Sequence, residues 1–236
     1  MKNKLKGIIF YTKKVKDNDL YIKILSSNNE INSGMVYGGN TSKKKYIYQK
    51  GYFIEYSITN KNVNSPPFFS ADIMKPYLGN IFEDKYKLNA LLSILNLINL
   101  SILEGQYIRG FFHNIEQIIE RVINENNWII FYCEWLFQLL TLIGYQIDYQ
   151  KNIKNLYFNL LTQKFEKIYA TSSLEFPHNL FSFNKEVTFK NINAVFKIFE
   201  SIFLKNHLDN ISYKMPINYL NFKILILDRL KFNKYE

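Results

Sequence analysis

The chain has 236 residues, enough for one large domain or two ordinary ones and for a substantial buried core. Its hydrophobic content of 47% and aromatic content of 17% exclude a disordered polymer. The formal charge of +10 points to a polyanionic partner, either nucleic acid or an anionic membrane surface.

The N-terminal stretch MKNKLKGIIFYTKK is basic, but its apolar core is too short for a signal peptide, so the cytoplasm is the expected compartment. Short alternating runs rich in β-branched and aromatic residues follow, at 7–13, 20–26, 33–39, 46–58 and 68–74. Turn-like segments of hairpin length separate them. Five short strands in so little chain predict a small barrel such as an OB-fold, with no room for crossover helices. The charge is concentrated here. Residues 1–50 hold eleven Lys against Asp17, Asp19 and Glu30, a net of +8, whereas residues 51–236 net only +2. Lys supplies 27 of the 30 basic residues, a bias that an AT-rich genome would spread over the whole chain. The asymmetry therefore marks an electrostatic footprint.

After residue 80 the period lengthens. Asp84 onward reads as a helix with Leu88, Leu91, Leu92, Leu95 and Ile98 on one stripe. A second helix spans 111–125. A third, 128–144, is apolar nearly all round and is expected at the centre, with Gly144 as its stop. The segment 155–170 fits either strand pairing around LTQK or a short helix. Residues 191–208 form an amphipathic helix, and 217–231 a last one after Pro216. Asn89, Asn96 and Asn99 interrupt one apolar run, and Glu134 and Gln138 another, so neither reads as a membrane span. The expected class is α+β: an OB-fold-like nucleic-acid-binding domain over 1–80, then an α-helical domain over 81–236 with room for a small β-hairpin near 155–170.

The chemistry is mostly absent. GGNTSKKKYIYQKG (38–51) lacks the spacing of a phosphate-binding loop, because its lysines follow the Ser and a strand is expected where a helix should open. The single Cys133 reads as a buried hydrophobe, and His113, His178 and His207 are too far apart in sequence to suggest a metal site. Glu116 and Glu120 read as a solvated helix face, and Asp17 and Asp19 as turn stabilisers. No nucleophile and base can be paired, so neither enzymatic activity nor a cofactor is expected. What remains is a single-strand binder built from lysines and aromatic faces: Lys43, Lys44, Lys45, Lys50, Tyr46 and Tyr48 on one segment, and Lys13, Lys14 and Lys16 on the first turn. Tyr46 and Tyr48 would share one strand face, pointing either to the ligand or into the barrel core. Scarce Arg argues against base-specific readout.

Several motifs occur in a fixed order. Gly7-Ile8-Ile9 opens the first strand and Asp19-Leu20 closes the first turn. Gly34, Gly38 and Gly39 lead to Ser42-Lys43, Gln49 and Gly51, and Leu140, Gly144, Tyr145 and Asp148 form an L-x-x-x-G-[FY]-x-x-D ending. This ordered set resembles the RecO family of bacterial DNA repair and recombination mediators. The resemblance implies an N-terminal OB-fold, a helical domain, binding of single- and double-stranded DNA, and annealing of complementary strands. It also implies RecR and the acidic, Phe-ending tail of single-stranded-DNA-binding protein as partners, and loading of RecA as the outcome. Lys43 falls on the family's basic position, and Lys13 and Lys14 on its first exposed turn. Many members carry a four-cysteine zinc knuckle that is missing here, so 149–169 must hold together by packing. Tyr219 stands where many members have an Arg. Lys205, Lys214 and Lys223 are the candidates for meeting the acidic tail. The alternatives are a general RNA- or single-strand-binding OB-fold protein, and a membrane-peripheral structural protein.

Overall fold

The computed structural model describes residues 4–16, 18–60, 65–182, 185–209 and 213–232. The chain divides into two compact units, Met1–Ile123 and Asn124–Glu236.

The first unit begins with five strands: β1 (Leu5–Lys14), β2 (Leu20–Ser26), β3 (Ile31–Val36), β4 (Phe53–Thr59) and β5 (Phe68–Lys75). They close in the order β1-β2-β3-β5-β4, the OB-fold arrangement, with β3 and β5 parallel and the other pairs antiparallel. Alternate residues point inward, and Ile9, Ile22, Ile24, Ile54, Tyr56 and Phe69 fill the barrel. Gly7 is required by a close approach, since a Cβ there would sit 2.9 Å from the Tyr56 ring. The Tyr56 hydroxyl accepts a hydrogen bond from Asn32 at 2.8 Å, and its ring meets Phe69 edge-on.

The expected strand over 46–58 begins only at Phe53. Residues 41–51 coil into turns instead, with Lys44 and Lys45 N–H groups donating to Thr41 O and Ile47 N–H to Lys44 O. The alternating Tyr-Ile-Tyr mimicked a strand, but Tyr48 is driven into the barrel core, where only 5% of it remains exposed. Its hydroxyl there accepts from Ala71 N–H at 3.2 Å. Glycines 38 and 39, expected inside the third strand, lie beyond its end, and Gly38 adopts a positive φ of 62°.

A short helix, α1 (Tyr77–Asn80), leads to α2 (Lys85–Ser101), which packs on β1, and α3 (Phe111–Asn124) follows. The Asp84 side chain caps α2 by accepting from the Tyr86 and Lys87 N–H groups. Glu120 is not a merely solvated face residue. It accepts from Lys75 Nζ at 2.7 Å and from the Tyr77 hydroxyl at 2.6 Å, tying α3 to the end of β5. Glu116 lies 3.8 Å from the same ammonium.

The second unit is organised around α4 (Trp128–Leu142), which is buried nearly all round, with α5 (Phe189–Ile202) and α6 (Ile217–Phe232) completing the core. Tyr132, Phe196, Tyr219 and Phe222 interlock there. Gly144 ends α4 with a φ of 97°. The 155–170 segment resolves as strand pairing: β6 (Tyr157–Asn159) is flanked by β7 (Lys164–Glu166) and by a third strand, β8 (Ser173–Glu175). Asn159 Oδ1 accepts from Leu161 N–H, Thr162 N–H and the Ser172 hydroxyl, while Phe158, Phe165 and Phe176 stack beneath the hairpin. Packing and one buried amide thus hold this region. Among the described residues, no helix is long and apolar enough to cross a membrane.

Candidate nucleic-acid interface

The two lysine-bearing segments expected to contact DNA are laced together at one end of the barrel. The β1–β2 turn is closed by Asp19 N–H donating to Lys16 O and Val15 N–H donating to Asp19 O. Asp19 then acts beyond its own turn: its carboxylate accepts from Gly38 N–H at 2.7 Å, and Asn40 N–H donates to Asn18 O. Asp17, the other expected turn residue, lies outside the described residues. Lys13, Lys14 and Lys16 on one segment and Lys43, Lys44 and Lys45 on the other are all exposed. Lys44 Nζ donates to Tyr37 O at 3.1 Å, so it is partly committed to holding the loop.

Next to the first of these loops the outer barrel face carries an aromatic shelf. Tyr11 and Tyr21 meet edge-on at 6.4 Å, and the Lys23 and Lys50 ammonium groups stand 5.8 and 5.7 Å from the Tyr11 ring centre. Strand register creates this face. Tyr11 lies opposite Lys23 and Lys13 opposite Tyr21, so rings and cations alternate across the β1–β2 pair. A groove of about 590 Å³ runs along Tyr11, Lys13, Lys14, Tyr21 and Lys23. An acid meets two of its lining residues. Glu104, from the α2–α3 connection, accepts from the Tyr21 hydroxyl at 3.0 Å and pairs with Lys23 at 3.3 Å. Burial would raise the Glu104 carboxyl, but hydrogen bonds from Ser33, Tyr21 and Lys23, together with the Lys23 charge, bring it below its ordinary value.

The structure separates the two tyrosines expected to act together. Tyr46 is exposed beside the lysines, whereas Tyr48 is a core residue and offers no face to a base. Sequence reasoning missed Tyr11, Tyr21 and Lys23. The signal was present as Tyr-x-Lys on each of two adjacent strands, which puts each pair on one face. The three lysines expected to meet an acidic tail have different surroundings. Lys223 is clasped by both oxygens of Glu200 at 2.7 and 2.8 Å, Lys205 donates to Leu161 O, and Lys214 is exposed.

No protein-family model matches the chain. Among curated proteins, it is 26% identical to the DNA repair protein RecO of Rickettsia canadensis (strain McKiel) over 193 residues, covering 77% of this chain and 79% of that protein. The chain is thus similar to proteins named DNA repair protein RecO. It is also 25% identical to the DNA repair protein RecO of Rickettsia conorii (strain ATCC VR-613 / Malish 7), over 77% of this chain and 81% of that relative. A third RecO protein, of Rickettsia bellii (strain OSU 85-389), is 25% identical over 145 residues, and there the match spans 61% of this chain and 59% of the relative's length. The RecO relationship and the OB-fold barrel agree with the ordered motifs of the sequence.

Proposed function

We propose that this chain acts in DNA repair as a RecO-like mediator that binds DNA largely without sequence specificity and anneals complementary single strands. The observation that carries the reading is the union of two lysine loops by the Asp19–Gly38 and Asn40–Asn18 hydrogen bonds, with the Tyr11–Tyr21 shelf adjoining Lys13 and Lys14. Lysines placed along a line neutralise phosphates and release counterions. The half-buried rings of Tyr11 and Tyr21 offer a surface on which a base can stack, whatever its identity. A strand held by its backbone and loosely by its bases remains able to pair with its complement. The protein then acts by positioning and charge, without bond chemistry, in the cytoplasm.

The mediator role brings partners with it: RecR, the acidic tail of single-stranded-DNA-binding protein and, through them, RecA. The test is annealing. Two complementary labelled oligonucleotides should pair faster with the protein than without it, and RNA strands of the same sequence should gain less. A protein that binds both strands without accelerating their pairing would contradict the mediator reading, and a preference for RNA would favour a general RNA-binding role.

A further inference from the structure

A second aromatic surface lies away from the Tyr11–Tyr21 shelf. Within the first unit, a groove of about 930 Å³ opens between the β3–β4 connection and the start of α2, a volume in the range of small-molecule sites. Its walls are Tyr46 and Phe82, which are 58% and 76% exposed, and its floor is formed by half-buried Tyr52, Leu88 and Leu92. A phenylalanine so exposed contributes nothing to the core, and it stands across from another exposed ring. Lys45 is on the rim, immediately after Lys43 and Lys44 in the chain.

We infer that this groove takes unpaired nucleobases of a strand whose phosphates lie on Lys43 and Lys45. The inference rests on the DNA-binding reading above and extends it to a second site beside the lysine loop. Two features select the occupant. Both exposed walls are flat rings, which suit a planar base. The cations beside them match a ligand that carries an anion in each repeating unit, and Glu83 is the one acid among the lining residues. The rim amide of Gln49 is fixed by donating to Lys45 O, leaving its oxygen to accept from a base edge.

The experiment titrates wild type, Phe82→Ala and Phe82→Trp with a labelled oligothymidylate, and with an abasic deoxyribose-phosphate strand of equal length, across a salt series. Phe82→Ala should weaken oligothymidylate binding by about fivefold or more. The salt slope should not change, because no cation is removed. Phe82→Trp should restore affinity, and the abasic strand should bind wild type and Phe82→Ala alike. Equal oligothymidylate affinity in wild type and Phe82→Ala overturns the base slot while leaving the DNA reading intact, and is the result expected if the groove takes an apolar peptide. Equal losses on both strands also overturn it. Failure of the wild type to bind oligothymidylate at low salt removes both readings together.

Discussion

Glu104 should restrain DNA binding, and Glu104→Gln should therefore strengthen it. The carboxylate pairs with Lys23 at 3.3 Å and holds the Tyr21 hydroxyl at 3.0 Å, so it sits where a phosphate would meet the aromatic shelf. Glutamine keeps an acceptor for Tyr21 while removing the charge. Releasing Lys23 adds one phosphate contact, which steepens the single-strand log–log salt slope by about 0.7 and tightens binding about fivefold near 0.1 M salt. The lost ion pair is partly solvated, so the stability cost should stay below about 1 kcal/mol. Anisotropy titrations across salt, with urea melts of the same samples, measure both quantities. Unchanged affinity and slope in a folded variant would refute the reasoning, because Lys23 would then not reach the strand.

The two tyrosines of the lysine segment should separate by assay. Tyr48→Ala should destabilise the barrel by about 3–5 kcal/mol in urea unfolding, whereas Tyr46→Ala should stay within about 0.5 kcal/mol and weaken DNA binding. The attachment of α3 should be acid-labile. Hydrogen bonds from Lys75 and then Tyr77 lower the Glu120 carboxyl, so its contribution is present above the unfolded carboxylate value and is lost as pH falls through the lowered folded value. Hydrogen exchange in α3 should rise with acidification below about pH 4, and Glu120→Gln should remove that dependence. Asn159→Ala should cost about 1–2 kcal/mol by removing the acceptor of three part-buried hydrogen bonds, while a chelator should leave the melting temperature unchanged; a chelator-induced drop would contradict a hairpin held by packing and hydrogen bonds.

The barrel was legible because its strands alternate and are divided by polar turns, a pattern that closure into an OB-fold preserves. The helices were legible through their apolar stripes, and α4 through a surface that is apolar nearly all round. The β3–β4 connection was not. Tyr46-Ile47-Tyr48 carries a strand's alternation, but the chain turns there and Tyr48 enters the barrel core. Phase along that segment thus decided which tyrosine could touch a ligand, and local pattern could not fix the phase. The shelf was missed for a related reason. Tyr11 and Tyr21 are ten residues apart, and only the β1–β2 register makes them neighbours. The lysines of the C-terminal unit illustrate a further limit, since Glu200 is remote in sequence from Lys223 yet neutralises it in the fold.

The most direct test of the central claim is the salt dependence of single-strand binding by wild type and by a variant carrying Lys13→Ala, Lys14→Ala, Lys43→Ala and Lys45→Ala. With about six phosphates neutralised, the wild-type log–log slope should be near −4, and the variant's should be shallower by nearly three at about 0.7 per contact. Equal slopes for two folded proteins would place the DNA elsewhere and contradict the joined-loop interface.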